Sequence, residues 1–123
     1  MAEHSYLRTH TLEAEHLLLD LDAAATELQS LGDGDRHGVT LLREGGLSVV
    51  LTRLKAGSAL NEHAAPGPTT VQVLDGHVRI RLADEHLDVP GGRLVAFNGG
   101  VRHSVEAIED STLLLTLAAP REA

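Results

Sequence analysis

Two of the chain's eight histidines stand where imidazole chemistry is most easily built. His63 lies in GSALNEHAAPGPTTVQVLDG, residues 57–76, and His103 lies in GRLVAFNGGVRHSVEA, residues 92–107. Each segment reads as strands broken by glycine- and proline-rich turns. Imidazole changes charge close to neutral pH and carries a lone pair on one nitrogen when neutral. A histidine held on a strand beside such turns could therefore bond a polar ligand, move a proton or ligate a metal. The residue types point to a pocket and name no substrate.

Other chemistries are missing. The chain has no cysteine, which excludes a disulfide framework, thiol catalysis and Cys-ligated zinc or iron–sulfur sites. It has no G-x-S-x-G elbow, no P-loop and no G-x-G-x-x-G run. Ser104 beside His103 is not a nucleophile–base pair, because neighbouring strand residues face opposite sides. Asp33, Asp35, Gly38 and Glu44 match four positions of a calcium loop. However, His37 stands where an oxygen donor is needed, and the following VTLLREGGLSVVL reads as strand rather than exit helix. A helix-to-strand turn is expected there.

The 123 residues fit one domain that can bury a core without staples. The net charge of −8 lacks the basic footprint that nucleic acid requires. Residues 1–38 hold eight acids against Arg8 and Arg36, so this part reads as an acidic, solvated arm. Tyr6 and Phe97 are the two aromatics, too few for a base- or sugar-stacking platform. No leader-like start and no membrane-length apolar run is present. A soluble, cytoplasmic protein with no nucleic-acid or membrane partner is expected.

The elements that would position the histidines follow from local pattern. Asp22, the Ala23–Ala25 run, Leu28, Leu31 and Gly32 predict a short helix at about 22–31. From Val39 the chain becomes a succession of short strands, near 39–43, 47–54, 58–64, 69–75, 77–83, 86–89, 93–97, 103–108 and 111–118. Asp75-Gly76 and Asn98-Gly99 are hairpin signals between them. In His77–Leu82, valine, isoleucine and leucine alternate with histidine and two arginines, which is the pattern of a half-buried strand. Many short strands at this spacing mean an all-β sandwich or closed barrel. The predicted division is an acidic arm with helix at 1–38, a barrel at 39–118 and a tail at 119–123.

At residues 39–118 the chain resembles the small single-domain cupins. Gly57, His63 and Gly76 match the first cupin motif, and Gly92, Gly100 and His103 match the second. The resemblance implies a jelly-roll β-barrel, the double-stranded β-helix, preceded here by the arm and short helix. It also implies a homodimer, since small cupins commonly pair N-terminal strands. The family's metal ligands are two histidines and a glutamate from the first motif and a histidine from the second. Here Ala65 and Thr69 replace two of them, and Asn98 and Ala107 replace the second motif's proline and asparagine. His63 and His103 remain.

With His63 pointing inward, alternation places Asn61 and Ala65 inward as well; Thr69, Val71 and Val73 follow on the next strand. Val105 and Ala107 join His103. The expected ligand pocket is thus His63, His103, Thr69 and Asn61 with aliphatic walls. Two imidazoles without an inward carboxylate make a weak site for a divalent metal such as zinc, nickel or iron. A third donor would have to come from Gln72 through a bulge, or from His4, His10 or His16 on the arm. The expected function is small-molecule binding in the barrel; the alternative is a metal-dependent oxygenase or isomerase of a small organic compound. His77 and His86 are expected to face solvent.

Overall fold

Ala23–Ala25 favours helix, and the side chain that starts that helix is Asp20. In the computed structural model, which describes residues 7–12, 14–32 and 34–120, helix α1 spans Leu21–Gln29. The extended Asp20 accepts the Ala23 N–H on Oδ1 at 3.0 Å. This corrects the expected start at Asp22, which instead sits in the first turn, where a carboxylate meets the positive end of the helix dipole. The earlier start brings Leu21 against a cluster formed by Ala24, Leu28, Leu41 and Leu51. Ser30 caps the C-terminal end, short of the expected Leu31.

Nine strands follow: β1 (Arg36–Glu44), β2 (Leu47–Leu54), β3 (Ala59–His63), β4 (Thr69–Asp75), β5 (His77–Leu82), β6 (Glu85–Pro90), β7 (Leu94–Phe97), β8 (His103–Ala107) and β9 (Ser111–Ala118). They form two antiparallel sheets, ordered β1-β2-β9-β4-β7 and β3-β8-β5-β6. Consecutive strands thus often lie in different sheets, as in a jelly roll. β1 begins three residues before Val39 because Arg36, His37 and Gly38 pair with Leu54, Arg53 and Thr52. No exit helix follows the Asp35–Glu44 segment, and Asp33 lies outside the described residues.

Alternation builds the core between the sheets. Leu54, Val71, Val73, Leu113 and Leu115 face Val78, Ile80, Val89, Val105 and Ala107. The other face of the five-stranded sheet carries Leu41 and Leu51, which α1 covers with Ala24 and Leu28. At the sheet's edge, His10 forms a parallel bridge to Leu42. The His10 N–H donates to the Leu41 carbonyl at 2.8 Å, and the Arg43 N–H donates to the His10 carbonyl at 3.0 Å. The arm therefore covers part of the β1 edge within its own chain, which removes unpaired backbone groups.

Two glycines show how tightly the sandwich closes. Gly76 has φ +98°, and a Cβ there would collide with Ser111 and the Asp110 carbonyl. A Cβ at Gly67, inside the Pro-Gly-Pro turn, would collide with the Ala118 carbonyl. Among the described residues no helix is long and apolar enough to cross a membrane.

Candidate histidine site in the barrel

β3 and β8 bring the two histidines together. His63 and His103 are direct cross-strand partners, and their ring centroids are 4.4 Å apart with a tilt of 57°. Their environments differ sharply. His103 is 2% exposed, whereas His63 is exposed to solvent. On its other side His103 stacks on Phe97, with centroids 4.4 Å apart and planes within 10°.

Both rings are oriented by the same local bond. His63 Nδ1 lies 2.9 Å from the Asn61 carbonyl, and His103 Nδ1 lies 3.0 Å from the Val101 carbonyl. A carbonyl only accepts, so Nδ1 carries the hydrogen in each ring. The neutral pair therefore presents two Nε2 lone pairs, and neither Nε2 has a hydrogen-bond partner among the described residues. Beside the pair, Arg102 donates to Glu62 at 3.0 Å in an exposed ion pair. Such a pair contributes little stability.

Asn61 is where the sequence-based pocket needs correction. Leu60 pairs with Val105 and His63 with His103, so β3 carries one extra residue between them. This bulge breaks the alternation that placed Asn61 and His63 on one face. Leu60 packs against the core instead, and Asn61 is exposed, serving His63 through its backbone carbonyl. Thr69 is 3% exposed, pairs with Phe97 and Leu117, and donates weakly to the Gly67 carbonyl at 3.3 Å. Val71, Val73, Val105 and Ala107 are buried as alternation requires.

The donors sought for a metal do not converge. Gln72 pairs with Leu94 and Leu114, in step with the half-buried Leu74, on the face opposite Val71 and Val73. The β4 irregularity falls between Val73 and Asp75, too late to turn Gln72 inward. His10 is fixed at the β1 edge, His16 is exposed, and His4 lies outside the described residues. Among the described residues no group of three or more His, Cys, Asp or Glu side chains is arranged to hold a metal ion. Two imidazole nitrogens fall short of the three protein ligands of a catalytic zinc, and of the two histidines and carboxylate of a facial triad. The family's metal centre does not fit this donor set.

His86 is exposed as expected, but His77 is only half-buried and its Nε2 lies 3.8 Å from Asp88 Oδ1, which also accepts from Arg79 Nε at 3.2 Å. The participant that sequence reasoning missed is Phe97. It sits on β7 of one sheet and stacks on a ring from β8 of the other, a contact that neither alternation nor motif spacing encodes. The available signal was its isolation, as one of two aromatic residues, immediately before Asn98 in the second motif.

Solved structures share this architecture. A conserved protein of unknown function from Streptococcus pyogenes superposes with TM-score 0.71 at 25% identity, over 98% of this chain and 100% of its own. A cupin superfamily protein from Desulfitobacterium hafniense gives TM-score 0.68 at 17% identity, over 75% of this chain and 87% of its own. A cupin 2 conserved barrel domain protein from Leptotrichia buccalis gives TM-score 0.68 at 26% identity, over 76% of this chain and 45% of its own. The chain has the fold of a small cupin barrel. The likeness to the Streptococcus pyogenes protein takes in the arm and helix as well as the cupin barrel, since it covers nearly the whole chain. No family model matches the chain, and no curated protein does.

Proposed function

We propose that this cupin binds a small polar organic molecule at the barrel mouth, through Nε2 of His63 and His103, without a metal. The observation that carries the reading is the paired imidazoles, both held in the Nδ1–H form by backbone carbonyls. Two acceptors on adjacent rings suit a ligand that donates hydrogen bonds, such as a hydroxyl or amine compound. Exposed His63 makes first contact, and buried His103 supplies the desolvated bond, which is worth more in its low-dielectric setting. The Asn61 carbonyl orients His63, and Phe97, the strand partner of Thr69, stacks behind His103.

The test is a screen of small hydroxylated and amine metabolites in the presence of a chelator, read as a rise in the unfolding midpoint. A hit should weaken by about tenfold or more in His63→Ala, given the usual loss from removing one partner of a ligand hydrogen bond. If no compound stabilises the chelated protein, the reading fails. The metal-dependent enzyme is the second reading: its support is that metal-ligating histidines commonly anchor their second nitrogen to a carbonyl in this way, and the two-nitrogen donor set counts against it. It requires near-stoichiometric metal in protein purified without a chelating resin, lost in a His63→Ala, His103→Ala double variant.

A further inference from the structure

We propose a second binding site, for a small oxyanion, on the outer side of the five-stranded sheet. A cleft of about 210 Å³ opens there beside the C-terminal end of α1. It is lined by Gln29, Gly32, Gly34, His37, Arg53, Lys55 and Asp110, and by neither His63 nor His103. Among the described residues the cleft brings Arg53, Lys55 and His37 together with Asp110, and Asp75 stands near Arg53 as a second carboxylate.

Arg53 is the anchor. Its side chain is only 19% exposed, so its charge is largely removed from water. Its one direct side-chain hydrogen bond among the described residues runs from Nη1 to Thr112 Oγ1 at 2.9 Å. The Asp75 and Asp110 carboxylates stand 3.9 and 4.0 Å away, beyond hydrogen-bond reach. A guanidinium offers five N–H donors in a planar fork matched to a carboxylate or phosphate. Most of them have no acceptor on the protein's described residues, which is costly for a desolvated cation. Asp110 is itself engaged by the Ala56 N–H at 2.8 Å, which tempers its repulsion of an incoming anion. His37 pairs with Arg53 across β1 and β2, and its Nε2 is buried beside Gly34 with no partner among the described residues. The Gln29 amide adds a neutral donor. The volume suits one phosphate or a short carboxylic acid and is below that of a typical drug-sized pocket.

The experiment titrates the full chain separately with inorganic phosphate and with succinate, at constant ionic strength set with chloride, by calorimetry and by the histidine ring resonances. Saturable binding of either anion is expected, with the His37 signals moving and the His63 signals still. Preference between the two anions distinguishes a phosphate ligand from a carboxylate one. Arg53→Gln and Lys55→Gln should each weaken binding about tenfold or more, as loss of a charge-assisted hydrogen bond does. Arg53→Gln also removes structural contacts, so Lys55→Gln decides the matter if the first variant fails to fold. Absence of saturable binding, or binding that Lys55→Gln retains in full, overturns the proposal.

Discussion

His63 and His103 occupy matching motif positions, yet their different depths give them different roles. His103 is packed between Phe97 and His63 and is almost fully buried, so its removal leaves a void. His103→Ala should lower stability by about 2–3 kcal/mol, as large-to-small changes in cores do. His63 is exposed, so His63→Ala should stay within about 0.5 kcal/mol. Urea unfolding of the two variants checks the ordering, and equal losses would contradict the burial difference. Phe97→Leu keeps an apolar side chain of somewhat smaller volume but removes the stacked ring. It should cost about 1–2 kcal/mol from lost packing and ring–ring interaction, and it should loosen ligand binding by releasing the His103 ring. Binding that is unchanged in a folded Phe97→Leu protein would show that the stack is structural only. The presence of two histidines at motif spacing was readable in the sequence. Their depth was not, because it depends on which strands of the opposite sheet lie above them.

At the scale of elements, the strand run and its turns were legible, since alternation and Asp-Gly or Asn-Gly pairs are local signals. The bulge in β3 was not. Nothing in Leu60-Asn61-Glu62-His63 marks an extra residue, and it arises because Leu60 and His63 must both face Val105 and His103. The N-cap of α1 was misplaced by two residues because Asp20 and Asp22 are both good caps, and only the docking of Leu21 against the Leu41–Leu51 cluster decides between them. Asp20→Ala should therefore lower stability by about 1 kcal/mol, the usual cost of a lost N-cap bond. Asp22→Ala should cost less, by loss of a dipole interaction alone. Thermal unfolding of the two variants compares them directly; a larger loss for Asp22→Ala would restore the original assignment.

For the whole molecule, the homodimer expected from the resemblance is the main proposal. Leu17 and Leu18 on the arm, Leu31 beyond α1 and Leu94 on β7 are exposed, Leu18 by 90%. Association that covered some of these large apolar side chains would remove them from water. The arm already lies on its own β1 edge, so pairing would enlarge that sheet or cover its outer face rather than fill an empty edge. Light scattering should report twice the chain mass of 13.1 kDa, and a monomer at micromolar concentration would refute the dimer.

Composition, turn residues and two-residue alternation by themselves determined a run of short strands in an all-β sandwich or barrel, and the motif resemblance marked the two histidines and the missing carboxylate ligand. These are properties of neighbours along the chain, and each strand carries its own in–out pattern. Only the tertiary structure decided that Asn61 turns away, that Phe97 reaches across the sandwich to His103, and that Arg53 lies largely buried in a cleft beside α1. Those contacts join residues far apart in sequence, and they follow from how the two sheets and the helix approach one another. No local pattern records that distance of approach.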